Sequence, residues 1–134
     1  MKSEAGLKKY IYDWLVGLNI GPVFQDRKQQ DDTTKLRKER TYIVMDFPDG
    51  IVDQGGWYRA ICVVCIGCRD KVNFVPNLEK LDEVCAKFIE SFEYNDEENN
   101  VSLLDCQFED DYPDGAGNHE YRYSFDVFAS KDPD

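Results

Sequence analysis

No run of apolar residues approaches the roughly 20 that a membrane-spanning helix needs, and residues 1–10 lack the apolar stretch of a secretory signal peptide. These absences predict a soluble, intracellular chain. Histidine occurs once, as His119, at the start of a predicted strand beside a glycine-rich turn, where the ring reads as an exposed bystander. No serine or cysteine stands in a nucleophile motif, and there is no glycine-rich phosphate loop; Gly115-Ala116-Gly117 lies between predicted strands, so it is turn chemistry. Basic residues are scarce in the last third, where residues 90–134 hold Arg122 and Lys131 against 14 Asp and Glu. A surface of that sign repels phosphate backbones and anionic lipid, which argues against nucleic acid and membrane as partners of the domain body.

The five cysteines are an odd count, and without a signal peptide they point to a reducing compartment and not to a disulfide framework. Three of them form Cys62-Val63-Val64-Cys65-Ile66-Gly67-Cys68, the spacing of iron–sulfur ligands. A cluster needs a further cysteine close by, and Arg69-Asp70-Lys71 follows instead. In a strand, moreover, a spacing of three puts Cys65 on the face opposite Cys62 and Cys68. These cysteines, with Cys85 and Cys106, are expected as small apolar core residues, and no cofactor is expected.

What is present suits one globular domain spanning residues 1–134. Its 42% hydrophobic and 13% aromatic content is ample for a core. The net charge of −11 is unevenly placed: residues 27–40 carry six Lys and Arg against three Asp and Glu, the reverse of the C-terminal third. Leu7, Tyr10, Ile11, Trp14, Leu15 and Leu18 recur at helical spacing, predicting a helix from a Ser3 cap to Leu18 that Gly21-Pro22 stops. Val23-Phe24 reads as a very short strand, and residues 25–40 as a long polar loop. Residues 41–47 and 57–67 predict two strands joined by a protruding hairpin tip, the second buried on both faces in its middle. Asn77 caps a second helix over residues 78–92, with Leu78, Leu81, Cys85, Phe88, Ile89 and Phe92 on one side. Residues 95–100 read as an acidic loop, 101–108 as a strand, 109–118 as a turn-rich connector, 120–130 as the last strand and 131–134 as a polar tail. The order α-β-β-α-β-β predicts an α+β fold in which two helices pack against one antiparallel sheet.

Glu109, Asp110, Asp111 and Asp114 crowd the connector, but their spacing lacks the alternate ligands, central glycine and terminal glutamate of an EF-hand. The stretch therefore reads as a solvated acidic loop, and no metal is assigned. An acidic domain without a visible active site, with a long basic loop and protruding turns, is expected to work by contacting proteins. The basic loop of one copy has the sign to meet the acidic part of a neighbour, and head-to-tail contacts of that kind close into rings.

The chain resembles the tail terminator, or tail completion, proteins of long-tailed bacteriophages, the lambda-type minor tail protein and its siphophage relatives. Four features carry the likeness. The helix 7–18 leads through Gly21-Pro22-Val23-Phe24-Gln25-Asp26 into a long loop. The strand 42–47 is followed by Trp57-Tyr58-Arg59-Ala60, which opens a long strand. The helix 78–92 sits between strand pairs, and Phe108-Glu109-Asp110-Asp111-Tyr112 with residues 115–119 runs into the aromatic strand 121–128. The resemblance spans nearly the whole chain. It implies a structural virion protein without enzymatic activity, assembled in the host cytoplasm as a homo-hexameric ring on the tail tube protein. Such a ring ends tube polymerisation and offers a joining surface to head–tail connector proteins. For this chain it implies subunit contacts in which Arg27, Lys35, Arg37, Lys38 and Arg40 reach Asp110, Asp111 and Asp114 of the next copy.

Two other classes fit the same residues. An acidic α+β domain of this size suits an immunity protein or similar inhibitor whose carboxylates cover a basic toxin site. An enzyme working with paired carboxylates remains open as well, because pairing is invisible in a sequence.

Overall fold

The architecture was taken from a computed structural model that describes residues 3–25, 41–72 and 75–131. Helix α1 (Glu4–Gly17) begins where Ser3 Oγ accepts the Gly6 amide, and it turns Leu7, Ile11 and Leu15 inward. Helix α2 (Leu78–Glu90) is capped by Asn77, whose side-chain oxygen accepts the Lys80 amide, and it buries Leu81, Val84, Cys85 and Phe88. Each cap supplies about 1 kcal/mol by satisfying an amide that the first helical turn leaves unpaired.

Among the described residues seven strands form one sheet: β1 (Val23–Phe24), β2 (Thr41–Asp46), β3 (Ile51–Asp53), β4 (Trp57–Arg69), β5 (Tyr94–Asp96), β6 (Val101–Pro113) and β7 (Asn118–Ser130). Their order across the sheet is β1-β2-β4-β7-β6-β5, with β3 added beside the start of β4. The α+β content and the two helices on the sheet agree with the expectation. The purely antiparallel sheet and the order α-β-β-α-β-β do not. β1 runs parallel to β2, pairing Val23 with Ile43 and Phe24 with Val44. β3 and β5 add short strands, from the hairpin tip and from the stretch expected to be an acidic loop. Strands of two or three residues carry too little alternation to stand out in a sequence; a partner already in place makes them strands.

Both helices lie on one face. Alternate residues of the central strands meet them there: Ile43 and Met45 of β2, even-numbered residues 58–66 of β4, and Tyr123, Phe125, Val127 and Ala129 of β7. Trp14 joins the layers, its ring 6.2 Å from Phe88, 5.6 Å from Phe92 and 5.9 Å from Phe125. As expected, β4 is buried on both faces from Cys62 to Cys68, and Cys65 belongs to the face opposite Cys62. That second face has a smaller apolar cluster of Phe24, Tyr42, Val44 and Cys65. Gly67 makes room for it, because a Cβ there would stand 2.1 Å from the Tyr42 ring.

Candidate functional site

The acidic residues singled out from the sequence fall at the β6–β7 end of the sheet, but not in a loop. β6 pairs with β7 as far as Pro113, so Asp110 and Asp111 are strand residues opposite Arg122 and Tyr121. The turn-rich connector shrinks to residues 114–117. Two register shifts, between Leu104 and Gln107 and between Phe108 and Asp110, absorb the residues that made this stretch read as irregular. Asp105 takes a left-handed conformation in the first of them, with φ 55°.

The strand separates the carboxylates. Asp111 shares the helix-bearing face with Phe108, while Asp110 points to the other. Glu109 accepts a hydrogen bond from Arg122 Nε at 3.0 Å. Asp114 is absorbed by its own turn, where Oδ1 accepts the Ala116 and Asn118 amides and Oδ2 accepts the Asn118 side-chain N–H. Asp110 Oδ1 accepts the Asp111 amide at 2.8 Å, so Asp110 and Asp111 remain on an exposed strand with one Asp110 oxygen engaged locally, whereas Asp114 is a turn residue. Among the described residues, no group of three or more His, Cys, Asp and Glu side chains is arranged to hold a metal ion. Arg27, Lys35, Arg37, Lys38 and Arg40, expected as the complementary cations, lie outside the described residues.

β6 also ends the sheet over most of its length. β5 covers it only at residues 101–103. Beyond them, among the described residues, no strand pairs with its outer edge, and positions 107–111 are exposed. Phe108 lies here, 56% exposed, with its ring edge-on to Tyr121 at 5.8 Å and Tyr123 at 5.6 Å.

Two polar groupings escaped the sequence reading. His119 is not the exposed bystander expected of it: its Nδ1 is 2.5 Å from Asp70 Oδ1, and the Asp70 side chain is only 5% exposed. Asp70 Oδ2 is buried and has no hydrogen-bond partner among the described residues. Cys68 is the cross-strand partner of His119 and, with Arg69, Asp70, Lys71 and Asn77, lines a cavity of about 360 Å³. A cysteine, a histidine and an aspartate are the residue types of a thiol-based triad. The Cys68 thiol, however, is buried and directed at the Arg69 carbonyl, 3.5 Å away, and it lacks the exposure of a reactive cysteine. The second grouping surrounds Glu120, which is fully buried on the face away from the helices and accepts the Tyr42 hydroxyl at 2.5 Å. Beside it the Tyr112 hydroxyl meets Cys65 Sγ at 3.1 Å, and burial raises the Tyr112 pKa above the ordinary tyrosine value. These contacts fasten the far ends of β2, β4, β6 and β7 together, a structural use of polar groups. Sequence separations of 49 for Asp70–His119 and 78 for Tyr42–Glu120 hide both groupings from any motif.

The remaining cysteines behave as expected. Burial pushes the Cys62 thiol far above its ordinary pKa and that of Cys85 up to about 12. Half-buried Cys106 is pushed up to about 11 for the same reason. No helix among the described residues is long and apolar enough to cross a membrane. No protein-family model matches the chain, and no curated protein matches it.

Proposed function

We propose that the chain is a structural assembly protein that works as a ring of its own copies, in the manner of the phage tail terminators it resembles. In this reading six copies cap the finished tail tube, stop its polymerisation and present the joining surface for the head–tail connector. The observation that carries the reading is the outer edge of β6, which no strand among the described residues covers beyond Leu103. It exposes Asp110 and Asp111 on a chain whose own residues 27–40 carry the opposite charge. A surface with both signs on separate segments suits head-to-tail contacts, which close into a ring when the rotation per subunit allows it. The contacts expected are Arg27, Lys35, Arg37, Lys38 and Arg40 of one copy with Asp110 and Asp111 of the next.

Solution mass tests the reading. Six copies of a 15.6 kDa chain make a particle of about 94 kDa. Light scattering with and without millimolar Mg²⁺, followed by negative-stain imaging, is expected to show that mass as rings. Reversal of Arg37 and Arg40 to glutamate is expected to abolish them, and intact rings in that variant would remove the charge pairing. The same acidic edge favours a second reading, an inhibitor that covers a basic partner site. That reading requires a monomer that binds its partner one to one.

A further inference from the structure

We infer that the outer edge of β6 over residues 104–113 is a strand-addition site, and that its occupant is the basic segment 27–40 of a second copy. This rests on the ring reading and makes its contact specific: main-chain pairing in a defined register, and not a loose attraction between charged side chains.

The edge itself is the first observation. β5 ends its pairing with β6 at Leu103, while β7 continues to hold the other side of β6 to Pro113. Among the described residues, positions 104–113 have a strand on the β7 side alone; Asp105 is left-handed and the Asp111 amide is taken by Asp110 Oδ1, and the other outward amides and carbonyls are left to water or to an added strand. Leu104 to Pro113 run alongside eight residues of β7, Asp126 to His119, so at about 3.4 Å each the edge is about 27 Å long.

The side chains along the edge select what can bind. Long open edges invite a second copy of themselves, and natural sheets prevent that with charge. Glu109, Asp110 and Asp111 would stand against the same carboxylates in a β6–β6 pair, and like charges facing each other across strands are destabilising. A basic strand meets the opposite situation. Residues 27–40 are the one part of this chain with a marked cationic excess, six against three.

The pattern within that segment matches the edge. Leu36 is its single large apolar residue and is flanked by Lys35 and Arg37. On β6 the exposed Phe108 lies on one face and Asp110 on the other. An added strand alternates its side chains, so placing Leu36 against Phe108 puts Lys35 and Arg37 on the face of Asp110. Strand direction does not alter this, because both neighbours of Leu36 are basic.

The test uses the full chain carrying Arg37→Glu/Arg40→Glu, whose ring contact is expected to be broken and its edge empty, and a fluorescein-labelled synthetic peptide of wild-type residues 27–40, followed by anisotropy at low ionic strength. A second peptide of identical sequence is N-methylated at each backbone nitrogen from 33 to 39. It keeps every charge and loses strand hydrogen bonding. The expected result is saturable binding of the first peptide and at least about tenfold weaker binding of the second. The variant Asp110→Lys/Asp111→Lys and, separately, Phe108→Ser are expected to weaken the unmethylated peptide. Equal binding of both peptides would overturn strand addition in favour of diffuse attraction. No binding of either, or an unchanged affinity in the charge-reversal variant, would also overturn it. Failure here with a 94 kDa ring still observed refutes the pairing mode and leaves the ring reading standing. Peptide binding as expected, with a chain that stays monomeric even on tail tubes, refutes the ring and leaves the edge site standing.

Discussion

The two parts of β6 differ sharply although they are one continuous strand. Val101 and Leu103 lie between β5 and β7 and are buried in the main core. Among the described residues, positions 107–111 have a strand partner only in β7; they carry Glu109, Asp110 and Asp111 and are exposed. One ordered neighbour is enough to hold a chain extended, whereas burial needs a second neighbour and a layer above. The first part contributes to stability, and the second is free to make contacts.

That contrast can be tested most strongly by truncating a side chain in each part. Leu103→Ala removes a fully buried side chain and is expected to cost about 2–5 kcal/mol, read as a lower urea midpoint at unchanged slope. Phe108→Ala, at a position 56% exposed, is expected to cost less than about 1 kcal/mol in the same assay. Comparable losses at the two positions would show that the outer part of β6 is buried in solution. Gly67→Ala carries the comparison to the sheet's second face. The new methyl meets the Tyr42 ring, and a loss of about 1–3 kcal/mol is expected.

A smaller effect involves β5, the short strand that distinguishes the two parts. The Tyr10 hydroxyl donates to Asp96 Oδ2 at 2.5 Å and ties α1 to β5, and that bond, with those from Asn99, holds the Asp96 carboxyl below the usual carboxylate range. A carboxylate with a lowered folded pKa binds fewer protons folded than unfolded. Its contribution is therefore present above the unfolded pKa and is lost as pH falls through the folded one. Below about pH 4 the wild type is expected to lose stability with a steeper pH slope than Tyr10→Phe, measured by urea midpoints across the acid range. Equal slopes would show that the tie is absent. The smallest effect belongs to the open edge: Asp110→Lys/Asp111→Lys is expected to leave the folding free energy within about 0.5 kcal/mol of wild type. A large loss there would mean these carboxylates serve the fold.

Much of the fold was legible in the residues. Leu7, Ile11 and Leu15 marked the buried stripe of α1, Asn77 marked the start of α2, and the apolar run 62–68 marked a strand buried on both sides. Each signal is local, carried by period or by a capping side chain. The acidic stretch 109–113 misled because Asp, Pro and Gly nearby are turn residues by propensity, while pairing with β7 overrode that propensity. Of the candidate site, the acidic character was legible and its arrangement was not. Nothing local separates Asp114, consumed by its turn, from the outward Asp110 and Asp111.

By itself, then, the sequence determined the two helices, β2, β4, β7, the first part of β6 and the charge asymmetry, because periodicity, capping and composition act over a few residues. Tertiary structure alone decided that β1 would run parallel to β2 and that β5 would stop at Leu103 and leave an edge open. It also decided that Asp70 would meet His119 and that Glu120 would be buried beneath Tyr42. These outcomes depend on which strands become neighbours, a choice made by the packing of distant segments on a shared core.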